Sequence, residues 1–342
     1  MVHCSDDCHV WRIPDPLGLM YSGSSTQASR MMELTPSRCL RPLPPEVDAG
    51  ALPAWDLTKL RHRGCPVCWE DCPEAMCTRP DRLSVVRCAT CGMIYVPDVP
   101  VAADVNRFYR SYARFKGIQP SRISRFGAWF RWWKDPYIVI LENSGGLAGQ
   151  NLCELGCSYG RFLQLARSRG ANVSGVELDG DALRFLQSLG IPASQQLGRE
   201  RQFDVICAFQ LIEHLDQPSD LIKQASACLV SDGRLLLAVP NGGEIERVGP
   251  AWVGFRVDLE HLNYFSLGPL SRLLLQHGLY LEHFWEHSQP IIPRTQESPA
   301  RYGLKLNQRL ERPLRFLSRL LVRPFWFDGT FVLTVLARKV GP

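Results

Sequence analysis

The stretch Leu152-Cys-Glu-Leu-Gly-Cys-Ser-Tyr-Gly-Arg-Phe162 reads as a strand, a tight turn and the start of a helix. Gly156 and Gly160 let the backbone approach a ligand with no Cβ in the way. The free N–H groups at the N-terminus of the following helix favour a carboxylate or a phosphate. A G-x-x-x-G spacing on its own is common. Two acidic residues sharpen it: Glu154 near the end of the first strand and Glu177, 23 residues later, in Gly-Val-Glu-Leu-Asp at the end of a second. That second position is where open, helix-flanked parallel sheets bind ribose hydroxyls.

Outward from this turn, short apolar runs alternate with helix-like segments, the mark of βαβ units and a parallel sheet. The pattern predicts strands over 151–154, 172–177, 204–209, 234–239, 280–285 and 331–337. It predicts helices over 160–169, 181–189, 218–229 and 267–277. No internal repeat is visible.

In this order of elements the chain resembles the class I S-adenosylmethionine-dependent methyltransferases, over roughly residues 150–285. The residues that carry the resemblance are Glu154-Leu-Gly-Cys-Ser-Tyr-Gly160, Gly175-Val-Glu-Leu-Asp179, Phe203-Asp-Val-Ile-Cys-Ala-Phe-Gln-Leu-Ile-Glu-His-Leu215, Asp232-Gly-Arg-Leu-Leu-Leu-Ala-Val-Pro-Asn241 and His261-Leu-Asn-Tyr-Phe-Ser266. The resemblance implies an α/β fold with a Rossmann-like, mostly parallel, doubly wound sheet, and S-adenosylmethionine as cofactor. It places Glu154 and the turn Gly156, Ser158, Gly160 at the methionine end, Glu177 on the ribose, and Gln210 beside the cofactor. Ser158 stands where the family usually has a middle glycine, so it must take a backbone conformation that an L-residue tolerates. The acidic residue often found after the third strand is absent from 191–197, where Gln195 or Gln196 offers a hydrogen-bonding side chain instead.

Ahead of this region, Cys65-Pro-Val-Cys68 and Cys88-Ala-Thr-Cys91 form C-x2-C-x19-C-x2-C. Two such knuckles close a tetrahedral site with no open coordination position, the pattern of structural zinc. Cys72 and Cys77 are spare thiols that can compete as ligands. The segment resembles the zinc-ribbon lead-in of a subgroup of these methyltransferases that includes sugar C-methyltransferases and enzymes of surface-polysaccharide and natural-product pathways.

Methyl transfer needs an acceptor that is bound, oriented and often deprotonated. Candidate bases lie after the fourth strand, at Glu213-His214, and in His261-Leu-Asn-Tyr264. His214 leads, followed by His261 and Tyr264; a structural or cofactor-proximal role for the Glu-His pair stands beside that reading. Phe209-Gln-Leu-Ile is not the Asn/Asp-Pro-Pro-Tyr motif of enzymes that methylate exocyclic amines of bases.

Composition bounds the rest. Hydrophobic content of 45% and 21% charged residues suit a globular chain, and no apolar run approaches a membrane span. The first residues carry Asp6 and Asp7 and lack a signal-like pattern, so the 13 cysteines read as reduced thiols of a cytoplasmic protein. Residues 105–134 hold eight Lys/Arg and no Asp or Glu, interleaved with Trp129, Trp132 and Trp133. Leu306, Leu310, Leu314, Leu317 and Leu321 recur at helical spacing among six basic residues, a surface over 301–327 suited to peripheral membrane contact or to ordinary packing. The expected organisation is an irregular segment over 1–55, a zinc-ribbon module over 56–103, a helical basic lead-in over 104–145, and the catalytic domain over 146–342 with an insertion at about 295–328. The expected function is methylation of an oxygen or carbon of a small-molecule, lipid-linked or glycan-pathway acceptor. An RNA methyltransferase with a zinc module and a non-enzymatic zinc-bearing binding module are the rival readings; sequence says nothing of oligomeric state.

Overall fold

A computed structural model describes residues 55–109, 118–129, 132, 135–198, 202–249, 252, 254–257, 259–287 and 331–340. All of them fall in one compact unit, Pro36–Pro342. The irregular segment read over 1–55 (all but Trp55) and the amphipathic stripe over 301–327 lie outside the described residues. So does part of the basic lead-in, whose described residues include the helices Ala102–Tyr109, Arg125–Trp129 and Pro136–Asn143 and Trp132; the Arg169 guanidinium sits 4.3 Å over the Trp132 ring.

Five strands precede the main sheet: β1 (Leu60–His62), β2 (Pro73–Thr78), β3 (Ser84–Cys88), β4 (Ile94–Tyr95) and β5 (Asp98–Pro100). The main sheet takes β6 (Asn151–Leu155), β7 (Asn172–Val176), β8 (Ala193–Ser194), β9 (Phe203–Phe209), β10 (Leu229–Pro240), β12 (Leu279–His287) and β13 (Val332–Lys339). Its order is β12-β13-β10-β9-β6-β7-β8. The pairs β10–β9, β9–β6, β6–β7 and β7–β8 are parallel, while β13 lies antiparallel to both β10 and β12. The expected Rossmann-like, mostly parallel sheet is what the chain forms.

The parallel strands β6, β7, β9 and β10 are largely buried on both faces, as their apolar runs require, while the short edge strand β8 is partly exposed. One face carries the helices Pro136–Asn143, Arg161–Ser168 and Gly180–Ser188, whose Ile138, Leu163 and Leu186 pack with Leu152, Val205 and Leu236. The other carries Pro218–Cys228 and Leu267–Leu275, with Ile222, Leu270 and Leu273 against Ile206, Leu235 and Val335. Caps match the local sequence: Asp179 accepts from the N–H groups of Asp181 at 2.7 Å and Ala182 at 3.3 Å.

The cysteine-bearing module docks on that second face. Its Cys65, Val67, Met93 and Tyr95 join the same core as Ile206 and Leu237. A two-residue strand, β11 (Asn263–Tyr264), leaves the catalytic domain and pairs with β4, closing a second sheet of order β11-β4-β3-β2. A third core of Leu83, Val85, Ile94, Trp252, Phe255 and Tyr264 fills the seam. Among the described residues no helix is long and apolar enough to cross a membrane.

Candidate active site

From β6 the chain winds to β7 and β8 on one side and later returns to β9 and β10 on the other. A ligand crevice opens at such a switch point, beyond the carboxyl ends of the strands. β6 delivers Glu154 there, 7% exposed. Burial, reinforced by the charges of Asp135 and Glu177, pushes its carboxyl well above the usual range. Its Oε2 has no hydrogen-bond partner among the described residues.

The turn after β6 is left-handed at Gly156 (φ +70°), Ser158 (φ +47°) and Gly160 (φ +66°). Gly160 is the most demanding position, since an added Cβ would lie 2.4 Å from Leu186 Cδ2. Ser158 does adopt the conformation its place required, and its N–H donates to Glu177 Oε2 at 2.7 Å. Glu177 Oε1 accepts from the N–H groups of Leu178 at 2.7 Å and Asp179 at 2.9 Å. Glu177 therefore clamps the loop from the end of β7.

Gln210, just beyond β9, is left-handed too (φ +51°). Its Nε2 and the Ser158 Oγ are buried and, like Glu154 Oε2, lack a partner among the described residues. Buried polar atoms without partners are rare in folded proteins; here one carboxylate oxygen, one hydroxyl and one amide surround a single glycine turn. Beside them the Phe209 ring stacks on Tyr137 at 4.0 Å between centroids and meets Phe162 edge-on at 4.9 Å. Gln195 and Gln196 are exposed just past β8.

A second cluster follows in the chain. Glu213, His214 and His261 are buried, and their potential ligand atoms all lie within 4.8 Å of one another. The imidazoles meet at 4.6 Å between centroids, and Tyr109 packs edge-on against His214 at 5.6 Å. Two imidazoles and a carboxylate can relay a proton or bind a divalent cation. The backbone gathers them: Leu262 N–H donates to Glu213 O at 2.8 Å, and Asn263 Nδ2 donates to Leu215 O at 2.6 Å. Tyr264 does not join them. Its hydroxyl sits in the seam core, accepts from Arg79 Nη1 at 2.8 Å, and burial pushes its titration up to about 12.

The four expected cysteines converge. Cys65 and Cys91 Sγ are 3.5 Å apart and Cys68 and Cys88 Sγ 3.4 Å, with all four within 4.8 Å. Tetrahedral zinc with Zn–S of about 2.3 Å wants sulfurs about 3.8 Å apart, so the donor set fits. Crowding divides the thiols: a hydrogen bond from Cys91 holds Cys65 down to about 5, while burial pushes Cys68 up to about 12. Cys72 and Cys77 stay out of the cluster.

Two arginines went unnoticed in the sequence. Arg63 and Arg79 are buried where the module meets the 259–264 segment. Nothing in a one-dimensional pattern separates them from solvated surface cations.

Residues 125–283 match the family described as "Methyltransferase domain". The ubiquinone biosynthesis O-methyltransferase of Idiomarina loihiensis is 23% identical over 199 residues, which span 51% of this chain and 78% of that protein. The protein of the same name from Pseudomonas aeruginosa is 28% identical over 115 residues, 30% of this chain and 49% of that protein. Among solved structures, magnesium protoporphyrin IX methyltransferase from Synechocystis with bound SAH superposes with a TM-score of 0.44 at 14% identity, covering 70% of this chain and all (100%) of that one.

Proposed function

With residues 125–283 forming a class I S-adenosylmethionine-dependent methyltransferase domain, we propose that this enzyme methylates a hydroxyl oxygen of a small-molecule acceptor at the crevice beyond β6 and β9. The observations that carry the reading are the orphaned Glu154 Oε2 near the end of β6 and the buried pair His214/His261, of which His214 follows the adjacent strand β9. When bound, S-adenosylmethionine supplies an electrophilic methyl group on a sulfonium. Glu154 would hold its ammonium group, satisfying a carboxylate that is otherwise costly to bury. Ser158 and Gln210 turn their free polar atoms to the same end of the crevice, and Glu177, with lone pairs left over, takes the ribose hydroxyls.

The acceptor lies between the stacked Tyr137/Phe209 wall and the histidines. His214, with His261 behind it, takes the hydroxyl proton as the oxygen lone pair forms its bond to the methyl carbon. The cofactor would leave as its neutral thioether and the proton would stay on the imidazole, so charge and atoms balance with no further reactant. Oxygen rather than carbon is favoured because proton removal from a hydroxyl is within reach of a neutral imidazole, and because the relatives at 23% and 28% identity carry O-methyltransferase names. Cys65, Cys68, Cys88 and Cys91 hold one structural zinc in this reading.

The test is a methyl-transfer screen with isotopically labelled cofactor over phenols, catechols, sugars and total RNA. Label in phenols or catechols supports the reading. Label confined to RNA, or to carbon of a sugar, overturns the acceptor; failure to bind the cofactor at all overturns the whole.

A further inference from the structure

We propose that Arg79 and Arg63 are positioning residues through which the four-cysteine module fixes the placement of the His261 and His214 imidazoles. The inference rests on the reading above that those rings stand in the acceptor site.

Arg79 lies between β2 and β3, with a side chain fully screened from solvent. All five of its N–H donors are used. Nε and Nη2 bind the Asp81 carboxylate, Nη2 also donates to Leu259 O at 2.6 Å, and Nη1 donates to Tyr264 Oη at 2.8 Å and to His261 O. Asp81 neutralises the charge, which makes the burial tolerable. Of the remaining bonds one falls on the Tyr264 hydroxyl and two on the backbone of His261 itself and of its neighbour two residues before.

Arg63 is two residues from Cys65. Its Nε donates to Val96 O at 3.0 Å, its Nη2 to Leu262 O and Asn263 Oδ1 at 2.9 Å each, and its Nη1 to Asp216 O. The Asn263 amide so oriented passes the contact on. Its Nδ2 donates to the carbonyls of Ile212 at 3.2 Å and Leu215 at 2.6 Å, on either side of Glu213-His214.

These acceptors share one property. Leu259, His261, Leu262, Leu215 and Asp216 lie in irregular backbone outside the helices and the main sheet; of their carbonyls Leu262 O also accepts from the Val96 N–H at 2.9 Å, and the others depend on side-chain donors. Two planar guanidinium forks supply what secondary structure does not, in fixed directions that a lysine ammonium cannot reproduce. Here the forks select the two segments that carry the histidines, while the cofactor turn at 156–160 is held separately by Glu177.

The experiment is NMR of the full-length, zinc-loaded protein labelled with 15N-histidine, read at one pH, with His214→Gln and His261→Gln supplying assignments. His277, bonded to Ser219 at 2.8 Å, and His287, bonded to Thr334 at 2.9 Å, serve as internal references. Arg79→Lys is expected to move the His261 ring signals and Arg63→Lys those of His214, with both references unmoved. Zinc content should stay constant and S-adenosylmethionine affinity should stay within about twofold. Unmoved His214 and His261 signals in both variants overturn the proposal. So does a collective shift of all four histidines with loss of cofactor binding, the behaviour of residues that merely hold the fold together.

Should Arg79→Lys not fold, Tyr264→Phe removes a single acceptor of the Arg79 fork. A smaller His261 shift is then expected, and no shift overturns the proposal. The outcomes separate from those of the acceptor-site reading, which fails if His214→Gln and His261→Gln leave methyl transfer intact, whatever the arginine variants do to the ring signals.

Discussion

The backbone N–H of Ser158 donates to the carboxylate of Glu177 at 2.7 Å, tying the left-handed turn after β6 to the end of β7. The same carboxylate holds the N–H groups of Leu178 and Asp179. Glu177 thus shapes the cofactor turn before any cofactor arrives. Hydrogen bonds to charged groups contribute about 1.5–3 kcal/mol each. Glu177→Ala should therefore weaken S-adenosylmethionine binding by at least about tenfold, by calorimetry, and should also lower the thermal midpoint of the cofactor-free protein. A variant with weaker binding and an unchanged midpoint would confine Glu177 to the ribose and remove its hold on the turn.

Gly160 and Gly156 should differ as sites of substitution. Alanine at 160 meets Leu186 Cδ2 at 2.4 Å, inside the packed helix Gly180–Ser188, while alanine at 156 meets the Leu211 tip at 3.1 Å. Both pay for a left-handed residue, on the order of 1–3 kcal/mol. Chemical denaturation should find Gly160→Ala the more destabilising of the two. Equal losses would mean that Leu186 moves aside freely.

The main sheet was legible because its signals are local. Apolar runs of strand length, glycines after β6 and Asp179 before a helix each act within a few residues, and the expected elements over 151–285 appear with shifted ends. β10 is the clearest of these, beginning at Leu229 rather than 234. What joins the two halves was not legible. β11 is two residues long, and its partner Ile94–Tyr95 lies far back in the chain; no periodicity marks so short a strand. Arg79 reads as a surface cation until the fold brings Asp81, Tyr264 and His261 around it. Glu213-His214 and His261 were visible as candidates, but their convergence depends on Asn263, an unremarkable residue in sequence whose amide reaches the 212–215 turn.

Glu154 gives a pH prediction with a definite sign. Its carboxyl is raised in the folded protein, so its contribution to stability is present below the unfolded value near 4.5 and is lost as pH rises through the folded value. The cofactor-free protein should thus lose stability as pH rises through the window between those two values, and Glu154→Gln should flatten the loss. A ligand ammonium against Glu154 favours the carboxylate, so S-adenosylmethionine binding should release a proton. Calorimetry in buffers of different ionisation enthalpy reads that proton directly. Binding with no proton release in the wild type, or release that survives in Glu154→Gln, would move the ammonium elsewhere.

Metal analysis of the purified chain should give about one zinc, as expected of a closed four-thiolate site. Chelation should lower the thermal midpoint, because Cys65, Cys88, Met93 and Tyr95 belong to the core that also holds Ile206 and Leu237. The double variant Cys88→Ser/Cys91→Ser should lose the metal. Full retention would transfer the site to Cys72 and Cys77, which the fold keeps out of the cluster.

His214 and His261 face each other at 4.6 Å with Glu213 within reach of both; Arg79 binds the His261 carbonyl and the Asn263 amide binds the carbonyls of Ile212 and Leu215 on either side of His214. That arrangement fixes the chain on which the two imidazoles are carried. General-base catalysis contributes about 10²–10⁴-fold, so replacing the base by glutamine should cut the rate of methyl transfer to a hydroxyl acceptor by about a hundredfold or more. Cofactor affinity should stay within about twofold, because Glu154, Ser158, Glu177 and Gln210 form a separate set around the turn. The two variants should also be unequal: the histidine nearer the acceptor loses more, and its partner, acting through it, loses less. Single-turnover rates with labelled cofactor measure this without interference from product release. Equal and small losses in both variants would take the proton away from the pair and leave the three buried groups as a cation site, which a chelator-sensitive rate would then reveal.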